Sequence, residues 1–289
     1  MATFFGEVVT APCRAGLDEE EEVAAEREET PEDREIRREL EKKREIYINW
    51  TTTFNPSADK QIPCSRFILG VGQNAVAFLS TFVLNSGCWE IVGSAKLWNE
   101  WCRTSDTTSV LPTDYFCFFY QLTSDPTVLL CQCNCYVAED QQFQWLEKVF
   151  GCLQKTDLQV LVLSSCSSTE YKTTESTLTL PSPFLKALKT SKFKDKIFCS
   201  PLEQPNIARD LPAAVLSYCQ VFQIPAVFYQ CYTDVIKLDL VTIEAFKAVL
   251  PSRILKGLVK VWHNCRDTSR STEILRKLVT TNEIHNIYT

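Results

Sequence analysis

Gly70 and Gly72 stand where a short apolar run, Arg66–Val71, meets a second apolar run that begins at Ala75. Glycines placed between a strand and a helix let a phosphate approach the helix N-terminus, as in the dinucleotide-binding fingerprint. The match is limited to Gly70-x-Gly72-x-x-Ala75, and no acidic residue ends a well-defined second strand about 20 residues later. We therefore predict a tight structural turn. The alternative is an α/β small-molecule enzyme that uses Gly70–Asn74 as a phosphate loop.

Three cysteines alternate along a second apolar run, at Cys131, Cys133 and Cys135. This spacing places three thiols on one face of a strand. Zinc sites usually combine CxxC-type spacing with a second pair of ligands, and this sequence has no such second pair. We predict buried strand cysteines here and no metal ligand.

Candidate bases and acids for catalysis are few. The two histidines, His263 and His285, both belong to the C-terminal segment, where we predict solvated surface residues. Capping or loop roles are favoured for four carboxylates near predicted helix starts and strand ends: Glu139, Asp140, Asp234 and Asp239. The sequence thus predicts no catalytic residue and no cofactor, and a protein that is not an enzyme.

Charge is unevenly distributed over the 289 residues, whose net charge is −6. Between Asp18 and Glu45 there are 14 acidic and 7 basic residues, so the remaining chain is nearly neutral. A concentrated basic face is therefore missing, which argues against nucleic acid as a partner. We predict an acidic leader over residues 1–60, largely disordered or a solvated helix, with Thr30 as cap and Pro31 at the first helical position.

The apolar runs are all too short for a transmembrane helix, and the N-terminus lacks the features of a signal peptide. Several of the 14 cysteines lie inside apolar runs, which is typical of buried free thiols. A reducing compartment follows, so we predict a cytoplasmic location, with the nucleus or the surface of the endoplasmic reticulum as further locations.

The globular part, residues 61–281, shows apolar runs of strand length that alternate with helical periodicity. Strands are predicted at Arg66–Val71, Glu90–Leu97, Tyr115–Leu122, Thr127–Cys133, Leu158–Leu163 and Ala226–Cys231. Helices are predicted at Ala75–Leu84, Ala138–Phe150, Pro183–Lys189, Ala213–Phe222, Thr242–Leu250 and Ser271–Val279, and a loop at Ser164–Thr179. In the second helix, Phe143, Leu146, Val149 and Phe150 share the apolar spacing. The pattern predicts a three-layer α/β/α sandwich with a mixed sheet.

Residues 282–289 are predicted to leave this domain as an extended C-terminal tail. The final residues, Ile287, Tyr288 and Thr289, offer an aliphatic side chain, a phenol and a free carboxylate. A carboxylate of this kind can pair with a lysine or with backbone amides in a pocket. We predict that these three residues bind a partner.

Several separated blocks point to one family. They are AKLWNEWCR (95–103), CYVAEDQQ (135–142), EQPNI (203–207), DLPAAVLSYCQV (210–221) and the tail with its NIYT end. Together they resemble the proteasome assembly chaperone 1 family of vertebrates, and the resemblance extends from Met1 to Thr289. Val261–Arg270 looks longer than is usual in that family.

This resemblance implies a non-catalytic chaperone that works as an obligate heterodimer with proteasome assembly chaperone 2, a chain of related fold. It implies that the pair sits on the α subunits of the 20S proteasome and promotes formation of the α-ring. It further implies that the hydrophobic–Tyr–any tail, here Ile287, Tyr288 and Thr289, enters a pocket between neighbouring α subunits. Neither nucleic acid nor membrane insertion is implied.

Overall fold

A computed structural model describes residues 30–51, 61–86, 88–98, 116–173, 181–235 and 237–258. The chain divides into two units, Met1–Arg44 and Glu45–Thr289. In the first unit, helix α1 spans Pro31–Arg44 and has no buried residue. Thr30 caps it, because the Thr30 hydroxyl accepts a hydrogen bond from the Asp33 N–H at 3.1 Å and the Asp33 carboxylate accepts one from the Thr30 N–H at 3.2 Å. The predicted helix start is confirmed.

The second unit is built on one nine-stranded sheet with the order β1-β3-β4-β5-β2-β6-β9-β7-β8. The strands are β1 Tyr47–Trp50, β2 Arg66–Val71, β3 Trp89–Lys96, β4 Phe116–Leu122, β5 Asp125–Cys133, β6 Gln159–Ser167, β7 Phe184–Lys189, β8 Ser200–Pro201 and β9 Ala226–Thr233. The α-helices are α2 Gln73–Phe82, α3 Glu139–Phe150, α4 Asp210–Val221 and α5 Leu240–Ala245. Short 3₁₀ turns follow at Leu84–Ser86, Ser168–Glu170 and Phe246–Val249.

Parallel pairing forms the centre of this sheet. Strand β2 is parallel to both β5 and β6, and β6 is parallel to β9. Antiparallel pairs join β1 to β3, β3 to β4, β4 to β5 and β7 to β9. Every residue of β9 is buried, as expected for a strand covered on both faces. The sheet is therefore mixed, as predicted.

Side chains alternate between two hydrophobic clusters, one on each face of the sheet. Phe67 and Leu69 of β2 belong to the cluster that contains the buried faces of α3 and α4. Ile68, between them, belongs to the cluster that contains α2 and α5. The period of two in a strand explains this division. Helices on both faces give three layers, which confirms the predicted α/β/α sandwich.

Three sequence expectations differ from the structure. Pro183–Lys189, predicted as a helix, contains β7, which pairs with β9 from Phe184 opposite Tyr232 to Lys189 opposite Val227. The loop predicted from Ser164 begins later, because β6 continues to Ser167 beside β9. Within the range 1–60 assigned to the leader, Tyr47–Trp50 forms an edge strand on β3. In each case a neighbouring strand supplies hydrogen bonds that local sequence does not report.

The other strand and helix predictions that fall on described residues agree with the structure to within a few residues. Among the helices that the structure describes, none is long and apolar enough to cross a membrane.

Candidate functional site

Helix α3 presents a large aromatic side chain to solvent. Phe143 is 66% exposed, although its spacing with Leu146 and Phe150 predicts the buried face. Trp145, which is fully buried, occupies the core position instead. The buried face of α3 therefore includes Trp145, Val149 and Phe150, and Phe143 lies at the outer edge of that face. The prediction that Phe143 lies on the buried face of the helix is therefore wrong.

Helix α4 continues the exposed apolar surface at its C-terminal end. Val221 is 74% exposed and Phe222 is 50% exposed. The Phe222 ring packs on Tyr218 with centroids 4.3 Å apart, and Tyr218 packs in turn on the buried Phe150 at 5.0 Å. These rings are anchored to the core, so their exposed edges form part of a fixed surface.

A groove of 660 Å³ runs between these two helices. Its apolar walls come from Phe143, Leu146, Ala214, Tyr218, Val221 and Phe222. Glu139 and Glu147 stand on the α3 side. The ammonium of Lys155 lies over the Phe222 ring, 4.0 Å from its centroid. We call this surface the α3–α4 groove. Exposed apolar surface bordered by charge is typical of a protein-binding surface.

A second concavity, a cleft of 410 Å³, lies at the carboxyl ends of the central parallel strands. Residues from the ends of β2, β6 and β9 and from the segment after β5 line it, including Gly72, Asn134, Ser164 and Gln230. Strand β2 lies between β5 and β6, so this is a topological switch point, where α/β proteins often bind ligands. Glu170 and Arg209 form an exposed ion pair at its rim, with 3.7 Å between carboxylate and guanidinium.

The Gly70–Asn74 segment at the edge of this cleft has structural roles. A Cβ on Gly70 would lie 2.6 Å from Leu79 Cδ1, so a larger residue there would have to displace the Leu79 side chain. Gly72, which directly precedes α2, has a φ of 85°. Residues with a side chain rarely adopt this backbone conformation, whereas glycine adopts it readily. Asn74 is buried, and its amide donates to the Lys237 carbonyl at 3.2 Å. These observations agree with the predicted structural turn.

The candidate carboxylates also have local roles. The Asp239 carboxylate caps α5, since it accepts hydrogen bonds from the N–H and the hydroxyl of Thr242, both at 2.8 Å. Asp234 accepts from the Ser168 hydroxyl, which lowers the pKa of this exposed carboxyl group. Glu139 and Asp140 lie in the first turn of α3, where negative side chains interact favourably with the helix dipole. The predicted capping or loop roles of Asp239 and Asp234 are thereby confirmed.

Cys131, Cys133 and Cys135 are buried, as predicted. A fourth buried cysteine, Cys117 of β4, lies directly opposite Cys133 of β5. The spacing of the three cysteines along β5 does not reveal Cys117, because the two strands are brought together by the hairpin. The sequence signal for a buried Cys117 is its spacing of two residues from Phe119, which places both side chains on one face of β4.

The predicted partner-binding residues Ile287, Tyr288 and Thr289 lie outside the described residues. The same holds for His263, His285, the predicted helix Ser271–Val279 and Val261–Arg270. The α3–α4 groove was not found by sequence reasoning, because its residues come from separate elements.

A family model described as proteasome assembly chaperone 4 matches residues 1–289. Proteasome assembly chaperone 1 of Bos taurus is 63% identical over 292 residues, covering 100% of this chain and 99% of the relative. The Homo sapiens protein of the same name is 61% identical with the same coverage.

Solved structures share the fold. Pyrococcus furiosus PbaB, an archaeal proteasome activator, aligns with a TM-score of 0.51 at 12% identity, over 83% of this chain and 99% of that chain. Pyrococcus furiosus PbaA, an archaeal homolog of proteasome-assembly chaperone, aligns with a TM-score of 0.50 at 9% identity, over 82% and 96%. Full-length identity above 60% to the mammalian proteins confirms the family resemblance found in the sequence blocks. The chain belongs to the proteasome assembly chaperones, in the group of vertebrate proteasome assembly chaperone 1 proteins.

Proposed function

We propose that this chain is a non-catalytic chaperone that promotes assembly of the 20S proteasome α-ring as an obligate heterodimer with proteasome assembly chaperone 2. Its C-terminal tail docks into a pocket between α subunits. Full-length identity to proteins named proteasome assembly chaperone 1 supports the general role. The free cysteines among the described residues suit the reducing cytoplasm and nucleus, where we place this activity.

The α3–α4 groove is the observation that best supports an obligate partner. Phe143, Val221 and Phe222 expose 66%, 74% and 50% of their surface to water in the single chain. Covering such a side chain fully contributes about 1.5–3 kcal/mol. A partner that covers this groove would gain this contribution and would also shield an aggregation-prone surface. We therefore assign the heterodimer contact to the α3–α4 groove.

This assignment predicts that polar substitutions in the groove weaken the heterodimer. Phe143→Gln and Val221→Gln are each expected to cost about 1–3 kcal/mol of binding free energy, which is about 5- to 150-fold in Kd. The measurement is calorimetric titration of the purified full chain with proteasome assembly chaperone 2. A fold check by thermal unfolding accompanies each variant.

Val241→Gln is the matched control for Val221→Gln. Val241 is also an exposed helical valine, 58% accessible, but it lies on α5 on the other side of the sheet. We expect the wild-type Kd for this control. Equal Kd values for the two valine variants would show that the partner binds elsewhere.

The tail is assigned a separate role from the groove. Ile287 supplies an aliphatic anchor, Tyr288 an aromatic ring with a hydroxyl, and Thr289 the terminal carboxylate. A three-residue anchor contributes little affinity alone, so it adds to a larger docking surface and helps to fix the register.

Deletion of Ile287–Thr289 is therefore expected to leave heterodimer formation intact and to reduce α-ring capture about tenfold or more. The measurement is recovery of 20S precursors on the tagged heterodimer, at protein concentrations below saturation. Tyr288→Phe removes only the phenolic hydroxyl and Tyr288→Ala also removes the ring, so the pair separates hydrogen bonding from packing.

Unchanged capture by the truncated chain would remove the tail from the proposal. Capture of no α subunits by the full-length heterodimer, read by mass spectrometry, would contradict the proposed function itself.

A further inference from the structure

Four buried cysteines lie together on the face of the sheet that packs against α3 and α4. Cys117 belongs to β4, Cys131 and Cys133 belong to β5, and Cys135 follows two residues after β5 ends. The Sγ atoms of Cys117 and Cys135 are 3.6 Å apart, and those of Cys133 and Cys135 are 3.9 Å apart. All three of these sulfur atoms lie within 4.8 Å of one another.

These separations suit sulfur atoms that share one metal ion. A zinc–thiolate bond measures about 2.3 Å, which places two sulfur ligands about 3.8 Å apart in a tetrahedral site and about 4.0 Å apart in a trigonal one. The measured separations of 3.6 Å and 3.9 Å lie within about 0.4 Å of these values. A cation at the centre would therefore require sulfur movements of less than about 1 Å.

The donor atoms determine which cations could bind. A set made only of sulfur favours soft, thiophilic ions such as Cu⁺ and Zn²⁺ over Mg²⁺ and Ca²⁺, which prefer oxygen. Cys131 also contacts the Cys117 thiol. Its sulfur is not among the three that all lie within 4.8 Å of one another, so it would have to move closer to become the fourth ligand that Zn²⁺ usually takes, whereas Cu⁺ is satisfied by three.

Access to the cluster is provided by the cleft at the carboxyl ends of the strands. Cys135 and its neighbour Asn134 line this cleft, whereas Cys117 and Cys133 are fully buried, so an ion would enter the cluster at Cys135. The Asn134 Oδ1 atom is buried and has no hydrogen-bond partner.

Burial raises the pKa of the Cys131 thiol, and contacts among the thiols together with burial raise the pKa of Cys117 and Cys133. These raised pKa values favour the protonated thiols of Cys117, Cys131 and Cys133 in the metal-free chain. Metal binding must release these protons, so the affinity is expected to increase with pH.

We propose that Cys117, Cys133 and Cys135 form a binding site for one thiophilic cation, Cu⁺ with these three sulfur atoms or Zn²⁺ with Cys131 as the fourth. The sequence expectation of no metal ligand considered only the spacing along β5. The antiparallel register, which places Cys117 opposite Cys133, is what completes the set.

The test uses the full chain, reduced and freed of metal under anaerobic conditions, and titrated separately with Zn²⁺ and with Cu⁺ against competing chelators. One equivalent of metal is expected to stay with the protein through gel filtration. Cys133→Ala and Cys135→Ala are expected to lower the affinity for both ions by at least about 100-fold, since even the loss of an outer-shell partner costs 10- to 100-fold. Cys131→Ala separates the ions, because it should weaken Zn²⁺ and leave Cu⁺ unchanged.

Cys219→Ala is the matched control. Cys219 is fully buried in the same hydrophobic cluster but contributes no sulfur to this set, so this variant should bind metal like the wild type. Co²⁺ added to the wild-type chain provides a readout that needs no variant, through its thiolate charge-transfer absorption. Absence of that absorption together with no stoichiometric uptake of Zn²⁺ or Cu⁺ would overturn the proposal. So would equal affinities of the Cys135→Ala and Cys219→Ala chains.

Discussion

Asn74 connects the start of α2 to the segment that precedes α5. Its side-chain amide donates to the Lys237 carbonyl at 3.2 Å, and its oxygen accepts from the Asp239 N–H at 2.9 Å. Asp239 then caps α5 through Thr242, whose hydroxyl lies 2.7 Å from that of Thr233 at the end of β9. One buried amide thus fixes the position of a loop and, through it, the first turn of a helix.

Replacing Asn74 by Ala is expected to destabilise the fold by about 1–3 kcal/mol, because it removes both part-buried hydrogen bonds, to the Lys237 carbonyl and from the Asp239 N–H. The measurement is the free energy of unfolding from urea titration. Gln73→Ala, an exposed neighbour on the same helix, should change stability by less than about 0.5 kcal/mol. Similar values for both variants would mean that Asn74 does not support the loop.

At the scale of elements, strand β1 depends on a close contact with a glycine of β3. Trp50 lies opposite Gly93, and its ring packs against Phe119 with centroids 4.9 Å apart. A Cβ on Gly93 would lie 2.5 Å from Trp50 Cε3 and 3.2 Å from the Asn49 carbonyl oxygen. The absence of a side chain at Gly93 therefore allows the tryptophan to cover the sheet at its edge.

Gly93→Ala is expected to displace the Trp50 ring and to cost about 1–3 kcal/mol, as overpacking usually does. The measurement is a double-mutant cycle with Trp50→Ala, based on unfolding free energies. The cost of Gly93→Ala should fall by more than about 1 kcal/mol in the Trp50→Ala background, because the obstructing ring is gone. An equal cost in both backgrounds would place the strain at the Asn49 backbone instead.

Some elements could be predicted from sequence because one local pattern determines them. The buried strands β2, β6 and β9 each contain an apolar run, and the β4–β5 hairpin has a turn signal between alternating strands. Strand β7 could not be predicted, because Leu, Ala and Lys favour helix locally while the free edge of β9 supplies the pairing.

The candidate binding sites also differ in whether the sequence alone can identify them. The tail motif is contiguous, so Ile287, Tyr288 and Thr289 can be selected from the sequence alone. The α3–α4 groove depends on which of two aromatic residues, Phe143 or Trp145, faces the core, and helical spacing alone favours the wrong one. The thiol cluster depends on a strand register that places Cys117 opposite Cys133.

At the scale of the whole molecule, the two hydrophobic clusters enclose thiols that are far from water. Burial raises the pKa of Cys64, Cys219 and Cys231 to about 12 in each case. Each of these side chains is at most 3% exposed. In the unfolded chain a cysteine titrates near pH 8.5, so the folded state retains these protons over a range in which the unfolded state loses them.

The contribution of these thiols should therefore be constant between about pH 6 and pH 8 and should lower stability as pH rises toward 12, since above pH 8.5 the unfolded state binds fewer protons than the folded state. Each such thiol contributes a slope of up to about 1.4 kcal/mol per pH unit. The measurement is the free energy of unfolding by urea at intervals from pH 8 to pH 11.

Cys219→Ala removes one titrating group from both the folded and the unfolded state. It should therefore reduce the slope by up to about 1.4 kcal/mol per pH unit, the contribution of one proton, whatever the substitution costs in stability at neutral pH. Replacement of the exposed Cys88 by Ala is the control and should leave the slope unchanged, because that thiol is in water in both states. If Cys219→Ala retained the wild-type slope, the buried thiols would not be the source of the alkaline loss of stability.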